Sequence, residues 1–264
     1  MTISDAGDGR VITALRGAVA TAAQEIAPTR AQHYAVGLDG GRYAVAEEGD
    51  ALAVAASAEL AAEAIAARSR RRALELAALK GWVRLRGGLV DLAGKRLLLV
   101  GPPGSGKTVL LLRLALRGGA PQGDESVLLR DGSALAVPAP LLLQEAIDPA
   151  LPKLAELAPR LPRIGGRAAL DPARDLGVEW RLRVAPLEHI VVLDPRPARP
   201  GRPGCLPITP AEALTELAVA LEAGALARTV LLRELTAAVG GAACHRLRAG
   251  EVKAMEDALV ALAC

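Results

Sequence analysis

Aromatic side chains are scarce in this chain of 264 residues, which contains no phenylalanine and only two tryptophans and two tyrosines. Proteins that bind single-stranded nucleic acid commonly stack bases on aromatic rings, so this class is not indicated. The formal net charge of +3 is also too small to indicate general binding to phosphate backbones. We therefore expect no nucleic-acid partner.

Cysteines are equally few, at positions 205, 244 and 264, and none lies in the spacing typical of a zinc site or a redox pair. An odd number without such a pattern is typical of reduced thiols in a cytosolic protein. The polar N-terminal sequence does not resemble a secretory signal, and no apolar run reaches the roughly 18 residues of a membrane span. We therefore expect a soluble, cytoplasmic protein with no membrane partner.

The most informative motif is a glycine-rich loop between the apolar run 96–100 and a helical stretch over 109–117. Its glycines allow tight turns that point backbone N–H groups inward, toward a triphosphate at the following helix N-terminus. Lys107 can reach the β- and γ-phosphates, and the Thr108 hydroxyl can bind Mg²⁺. We predict a nucleotide-binding loop with ATP and Mg²⁺ as cofactors, formed by Gly101, Pro102, Pro103, Gly104, Ser105, Gly106, Lys107 and Thr108.

Two acidic positions compete to supply the second metal ligand. Asp124 and Glu125 follow shortly after the helix of the loop, whereas Asp194 ends the apolar run 190–193, as in an ordinary Walker B strand. Adjacent carboxylates near a triphosphate offer one metal ligand and one base, because the metal and their mutual repulsion separate their proton affinities. We predict a catalytic set of Lys107, Asp124 and Glu125, with Thr108 and Asp124 on the metal. A polar turn at 124–125 and a strand-ending Asp194 are the simpler alternatives.

The first 80 residues are predicted to form a small α+β appendage. Short apolar pieces in 31–56 alternate with turn signals, which indicates an antiparallel meander. Ser57 is expected to cap a helix that runs to about Lys80, before Gly81. This helix carries a basic cluster that is either a solvated face or a surface for an acidic partner, namely Arg68, Arg70, Arg71 and Arg72.

Residues 81–264 are predicted to form an α/β catalytic domain with a mixed sheet. Strands over 82–92 and 95–100 should form a hairpin that leads directly into the loop. The Thr209-Pro210-Ala211-Glu212 sequence predicts a capping box that opens a helix. Further predictions are strands at 178–184, 190–193 and 244–247, a proline-rich loop at 195–203, and helices at 226–238 and 251–263.

The order of these features resembles the bacterial HPr kinase/phosphorylase-like family, which is built on the fold shared with phosphoenolpyruvate carboxykinase. The resemblance covers about 82–262 and lies in the hairpin, the loop, the helix ending at Arg117-Gly118 and the acidic pair before a strand. It continues in the tail, at 137–143, 189–195, 207–209 and 245–250. Two departures are Arg86, where the family usually has a histidine, and Glu125, where the family has aspartate.

The resemblance implies an ATP-dependent kinase that transfers the γ-phosphate to a Ser or Thr hydroxyl of a peptide or small protein. In that family the second acid accepts the proton of the substrate serine, a role that falls on Glu125, and the first acid corresponds to Asp124. A homo-oligomer is compatible with this class. The alternatives are a small-molecule kinase and a nucleotide-binding regulatory module or NTPase with weak catalysis.

Overall fold

The computed structural model describes residues 2–5, 9–18, 32–143, 152–180, 182–197, 204–222 and 226–264. The chain forms two compact units, one made of Met1–Glu75 with Leu142–Asp171 and the other of Leu76–Leu141 with Pro172–Cys264. The predicted domain boundary after Lys80 stays a prediction.

The helices and strands are numbered in chain order. The helices are α1 (Arg10–Ala18), α2 (Ala58–Leu79), α3 (Lys107–Leu116), α4 (Pro152–Leu157), α5 (Pro172–Leu176), α6 (Pro210–Ala220), α7 (Arg228–Gly241) and α8 (Val252–Ala263). The strands are β1 (Thr2–Asp5), β2 (His33–Asp39), β3 (Arg42–Glu47), β4 (Asp50–Ala55), β5 (Val83–Leu85), β6 (Gly87–Leu92), β7 (Lys95–Val100), β8 (Ala120–Gly123), β9 (Val127–Arg130), β10 (Ser133–Ala136), β11 (Leu141–Leu142), β12 (Arg163–Ile164), β13 (Arg167–Leu170), β14 (Ala185–Pro186), β15 (His189–Pro197), β16 (Cys205–Pro207) and β17 (Ala243–Ala249).

The first unit contains a four-stranded sheet in the order β1-β2-β3-β4. Strands β2, β3 and β4 pair antiparallel, which confirms the predicted meander. Alternate residues such as Tyr34 and Val36 point into one core, where they join Ile65 of α2. The Ser57 hydroxyl accepts a hydrogen bond from the Leu60 N–H at 3.3 Å, so the predicted cap of α2 is confirmed.

The basic cluster on α2 is partly neutralised within this unit. The Arg68 guanidinium donates to a Glu47 carboxylate oxygen at 2.6 Å, and this contact lowers the pKa of Glu47. Arg71 and Arg72 both lie within ion-pair distance of Glu75, at 3.8 and 3.3 Å. These contacts favour the interpretation of the cluster as a solvated helix face.

The second unit is built on a mixed six-stranded sheet in the order β16-β17-β15-β7-β6-β8. Strands β7, β15 and β17 run parallel, and β6 returns antiparallel to β7, which confirms the hairpin leading to the loop. Residues alternate between faces: Leu98 and Val100 join the core under α6 and α7, while Leu97 and Leu99 join the core under α3 and α8. This unit is therefore a mixed α/β structure.

The prediction of one strand over 82–92 is wrong, because the segment divides between two sheets. Strand β5 pairs with β9 in a four-stranded sheet of order β14-β10-β9-β5, whereas β6 pairs with β7. The break lies at Arg86, whose N–H donates to the Ala220 carbonyl at 2.8 Å instead of to a neighbouring strand. The chain thus changes sheets at Arg86.

A buried arginine, which the sequence analysis did not identify, fixes the hairpin beneath the loop. Arg96 has no exposed surface, and its guanidinium donates to both carboxylate oxygens of Asp91, at 2.7 and 3.0 Å. It also donates to the carbonyls of Ala134 and Arg183, at 2.8 and 2.7 Å. Every buried charge in this arrangement has a partner, as burial requires.

The prediction of a strand over 178–184 is also wrong for the described part of that segment. The Arg183 carbonyl accepts a hydrogen bond from the buried Arg96, and the Arg183 side chain donates to Asp91 at 3.1 Å. Arg183 is therefore part of this polar cluster. The adjacent strand is β14, which pairs with β10.

The loop predicted over 195–203 begins later than expected. Strand β15 continues to Pro197, because a register shift after Asp194 lets it pair again with β17 at Ala249. Residues 198–203 lie outside the described residues.

The elements predicted in the tail are confirmed. The Thr209 hydroxyl accepts from the Glu212 N–H at 3.3 Å while Glu212 accepts from the Thr209 N–H at 2.9 Å, with Pro210 as the first residue of α6. Strand β17 and helices α7 and α8 lie at the predicted positions.

Candidate functional site

The glycine-rich loop connects the end of β7 to the first residue of α3, as the sequence predicts. Gly104 and Gly106 have φ angles of 79° and 89°, which residues with a side chain rarely adopt. A Cβ on Gly101 would lie 2.8 Å from the Leu193 carbonyl oxygen, so the loop can pack against β15 only with glycine there. The local sequence therefore determines the path of this loop.

Lys107 lies inside the loop and is only 9% exposed. Its ammonium donates to the carbonyls of Gly101 and Pro102, at 2.7 and 3.0 Å, and to the Ser105 hydroxyl at 3.3 Å. Burial lowers the pKa of Lys107, the nearby Asp124 charge opposes this shift, and the Arg86 charge adds to it. The ammonium thus lies at the centre of the loop, with its charge near both residues.

Thr108 and Asp124 lie in direct contact, although 16 residues separate them in the chain. The Thr108 hydroxyl donates to an Asp124 carboxylate oxygen at 2.5 Å, and the other carboxylate oxygen accepts from the Glu125 N–H at 2.9 Å. Asp124 is 8% exposed, and burial raises its pKa while these two hydrogen bonds act in the opposite direction. A hydroxyl and a carboxylate side by side are the hard oxygen ligands that Mg²⁺ prefers.

Glu125 lies in the turn between β8 and β9 with a φ angle of 73°. This left-handed conformation is uncommon for a residue other than glycine, asparagine or aspartate, although Glu48 and Ala93 also adopt it in hairpin turns of this chain. The turn is closed by a 3.0 Å hydrogen bond from the Ser126 N–H to the Asp124 carbonyl. The structure therefore places the predicted base next to the predicted metal ligand.

Asp194, the competing acid, is held by an arginine two residues further on. The Arg196 guanidinium contacts both carboxylate oxygens, with Nε 2.9 Å from Oδ1 and Nη2 2.8 Å from Oδ2. This bidentate contact lowers the pKa of Asp194. Its carboxylate is thus occupied by a cation of the chain itself, whereas that of Asp124 contacts the loop hydroxyl.

A cavity of about 620 Å³ opens beside the first half of the loop. Its lining includes Gly101, Pro102 and Pro103 of the loop, together with Asp194 and the exposed Arg86. An ion pair from β17 to α6 also lies in the wall, because Arg246 contacts Glu216 at 3.1 Å. The sequence drew attention to Arg86 and Asp194, but it contained no signal that the other residues meet there.

Within the described ranges, no group of three or more His, Cys, Asp or Glu side chains could hold a metal ion. A Mg²⁺ ion at Thr108 and Asp124 would thus need phosphate oxygens and water as its remaining ligands, which is how proteins often bind this ion. No helix among the described residues combines the length and apolar character of a membrane span.

Fold and site together define a mixed α/β protein in which a glycine-rich loop joins a strand to a helix beside an acidic pair. No protein-family model matches the chain, and no curated protein matches it. Among solved structures, the chain is similar to the HPr(Ser) kinase/phosphatase from Coxiella burnetii at 12% sequence identity. That match covers 68% of this chain and 92% of the other chain, with a TM-score of 0.37. Similarity at this level carries no argument about fold or activity.

Proposed function

We propose that this protein is an ATP-dependent kinase that transfers the γ-phosphate to a Ser or Thr hydroxyl of a peptide or small protein. The observation that carries this proposal is the hydrogen bond between Thr108 and Asp124, at the start of a helix that begins with Lys107. This hydrogen bond brings the loop hydroxyl together with an acid from the turn between β8 and β9. A Mg²⁺-nucleotide requires such an arrangement.

The residues of the loop would bind the phosphates. Backbone N–H groups of the loop and of the first turn of α3 provide donors, and the Lys107 ammonium provides a positive charge. The ammonium would exchange the Gly101 and Pro102 carbonyls for phosphate oxygens. Bound Mg²⁺ would neutralise charge on the β- and γ-phosphates, with Thr108 and Asp124 among its ligands.

Glu125 would act as the base. As the acceptor oxygen forms a bond to the γ-phosphorus, the bond from that phosphorus to the β-γ bridging oxygen breaks and ADP leaves with the electron pair. The hydroxyl proton passes to the Glu125 carboxylate. The Asp124 carboxylate contacts the Thr108 hydroxyl, and Glu125 is the half-buried residue beside it in the turn between β8 and β9.

The two acids of the pair and Asp194 differ in what holds their carboxylates. Arg196 occupies Asp194, so a conventional NTPase that uses Asp194 alone on the metal would first have to break a bidentate ion pair. To coordinate the metal, Asp124 has to give up only its hydrogen bond from the Thr108 hydroxyl. The acceptor class rests on the family resemblance, and a small-molecule kinase and a regulatory module remain the competing functions.

The proposal is tested by an acceptor screen with the full chain and Mg·ATP. Peptides that contain Ser or Thr should include members that gain one phosphate, detected by mass spectrometry. Glu125→Gln keeps the shape of the side chain but cannot accept a proton, so we expect transfer to fall by about 10²- to 10⁴-fold with little change in ATP affinity. The exposed Glu179→Gln is the matched control and should transfer normally.

If no acceptor gains phosphate, and ATP is untouched or is hydrolysed equally by wild type and Glu125→Gln, the kinase assignment is wrong. ATP binding without turnover would then support the regulatory module.

A further inference from the structure

The charged side chains in the wall of the 620 Å³ cavity form opposite-charge pairs, with one exception. Asp194 pairs with Arg196, Glu216 pairs with Arg246 at 3.1 Å, and Glu222 pairs with Arg84 at 2.5 Å. The exception is Arg86, whose guanidinium makes no ion pair or hydrogen bond with any described residue. The Arg86 guanidinium is therefore the one charged group of the wall that is available to an anionic ligand.

The backbone holds Arg86 firmly at this position. Its N–H donates to the Ala220 carbonyl at 2.8 Å, and Ala220 itself lines the cavity. The next residue must be glycine, because a Cβ on Gly87 would lie 2.9 Å from the Leu99 carbonyl oxygen. The break between β5 and β6 thus directs an arginine into the cavity from a fixed base.

The cavity also adjoins the part of the loop that should face the terminal phosphates. Gly101 and Pro102 line it, and their carbonyls accept hydrogen bonds from the Lys107 ammonium. In a loop of this type the lysine reaches the β- and γ-phosphates. A molecule in the cavity would thus lie beside the phosphate that is to be transferred.

Apart from its charged residues, the wall is apolar. Val192, Leu193, Val219 and Leu221 are among its lining residues. An apolar wall with a single unpaired cation is complementary to a molecule that has an apolar part and one anionic group. Arginine binds either a carboxylate or a phosphate in a bidentate manner, so both anions fit this chemistry.

We propose that this cavity binds the phosphate acceptor, and that the acceptor carries one carboxylate or phosphate, held by Arg86, next to an apolar group. The inference rests on the proposed kinase function and adds the chemical class of its acceptor. Arg86 is a binding residue that sets specificity, and it takes no part in proton transfer.

Small probes that cannot react test the binding step separately from catalysis. The carboxylate probe is 4-methylpentanoate, the phosphate probe is 3-methylbutyl phosphate, and 4-methylpentanamide is their neutral counterpart. Each is titrated by ligand-observed NMR into the full chain with Mg²⁺ and saturating non-hydrolysable ATP analogue, so that the loop is filled. We expect at least one anionic probe to bind, the amide to bind about tenfold more weakly, and Arg86→Gln to remove this difference.

The exposed Arg228→Gln, on helix α7 and outside the cavity, is the matched control and should behave as wild type. Preference for the carboxylate or for the phosphate probe identifies which anion the acceptor carries.

The inference is overturned if no anionic probe binds, if the amide binds equally well, or if Arg86→Gln binds as wild type does. It is also overturned if Arg86→Gln weakens the ATP analogue while the anionic probes do not bind beside it, because Arg86 would then contact the nucleotide. Titration of the ATP analogue alone measures binding at the proposed nucleotide site separately. Failure of that titration, with anionic probes still binding through Arg86, would refute the kinase proposal and leave the anion site intact.

Discussion

Lys107 is the residue whose loss should affect nucleotide binding most directly. Lys107→Ala removes the charge at the centre of the loop, so ATP affinity should fall by about ten- to a hundredfold and turnover should nearly disappear. The fold should remain, because the loop glycines keep their conformations and their packing against β15. Isothermal titration with ATP measures the first effect, and circular dichroism checks the second.

Lys253→Ala is the matched control, because that lysine is exposed and makes only a surface ion pair with Asp257. Equal ATP affinity for Lys107→Ala and wild type would show that the loop does not bind ATP in the expected manner.

The raised pKa of Asp124 predicts how metal binding depends on pH. Burial raises the pKa of this carboxyl, and Mg²⁺ binds the ionised form, so metal binding must displace the proton. As the pH is lowered toward that raised pKa, the Mg²⁺ concentration for half-maximal ATP binding should increase. Titration of Mg²⁺ at several pH values measures this. Asp124→Asn should flatten the dependence, and an unchanged dependence in Asp124→Asn would contradict this role.

Replacing Glu125 by glycine should have opposite effects on the stability of the fold and on phosphotransfer. A left-handed conformation costs a non-glycine residue about 1–2 kcal/mol, and glycine avoids most of this cost. Glu125→Gly should therefore raise the free energy of unfolding by up to about 1 kcal/mol while it abolishes phosphotransfer. Chemical denaturation measures the first effect.

Ala93→Gly provides the control for conformation alone, because Ala93 has a φ angle of 48° in the β6–β7 turn. It should be stabilised without loss of transfer. If Glu125→Gly is destabilised while Ala93→Gly is stabilised, Glu125 makes contacts that favour the native state.

At the scale of single residues, the sequence predicted the loop and the acidic pair because each depends on a short motif. It did not predict that Arg196 would hold Asp194, since a separation of two residues does not by itself fix where the guanidinium lies. Nor did it predict the buried Arg96, whose guanidinium has partners in three separate segments. Charge patterns alone do not show which ion pairs are buried.

Two neighbouring strands of the central sheet carry a histidine pair, which makes the second unit sensitive to acid. The rings of His189 on β15 and His245 on β17 lie 5.4 Å apart between centroids, and Nδ1 of His189 is 3.3 Å from Nε2 of His245. Burial lowers the pKa of both, and the charge of Lys95 lowers that of His189 further, while Glu188 opposes it. The folded state therefore favours neutral rings.

This pair predicts the sign of the pH dependence of stability. Below the ordinary histidine pKa of 6.5, the unfolded chain takes up protons that the folded chain resists, so the unfolded state binds more protons. The free energy of unfolding should therefore fall as the pH drops below 6.5, toward the lowered pKa values. Urea denaturation between pH 7 and pH 5 measures this loss.

His245→Gln should reduce the slope, whereas the exposed His33→Gln should leave it unchanged. A stability that rises on acidification over this range, in the wild type but not in His245→Gln, would contradict the account of the pair.

At the scale of elements, the long periodic segments were predictable because their pattern covers several turns or a full strand. Helices α2, α3, α6, α7 and α8 and strands β7 and β17 belong to this group. The failures are short strands and their limits. The segment 82–92 reads as one strand, yet the N–H of Arg86 bonds to a carbonyl at the end of α6, a contact that no local pattern indicates.

The absence of a side chain at Gly88 allows α3 to pack closely on β6. A Cβ on Gly88 would lie 2.6 Å from a methyl carbon of the buried Leu111, in the helix that follows the loop. Gly88→Ala should therefore destabilise the fold by about 1–3 kcal/mol, because overpacking forces the helix or the side chain to move. Chemical denaturation measures the loss, and Leu111→Val in the same chain should recover part of it.

Gly94→Ala provides a control for glycine in a turn, where added atoms meet no neighbour. Gly94→Ala should be destabilised only by its φ angle of 83°. If Gly88→Ala is as stable as wild type, α3 is not packed as closely on β6 as described.

At the scale of the second unit as a whole, the sheet places the site. Strand β15 lies between β7 and β17, so the loop after β7 and Asp194 on β15 meet at the same edge of three parallel strands. The sequence indicated an α/β domain with a mixed sheet, but it could not give the strand order. That order depends on contacts between segments about ninety residues apart, such as His189 with Leu97.

The proposed mechanism depends most on which acid holds the metal. The most direct measurement is the Mg²⁺ concentration required for half-maximal ATP binding in wild type, Asp124→Asn and Asp194→Asn, followed by isothermal titration at one pH. We predict that Asp124→Asn raises this concentration about tenfold, and that Asp194→Asn changes it little because Asp194 is paired with Arg196. A raised requirement in Asp194→Asn, with Asp124→Asn unchanged, would contradict the proposed metal site and the kinase mechanism built on it.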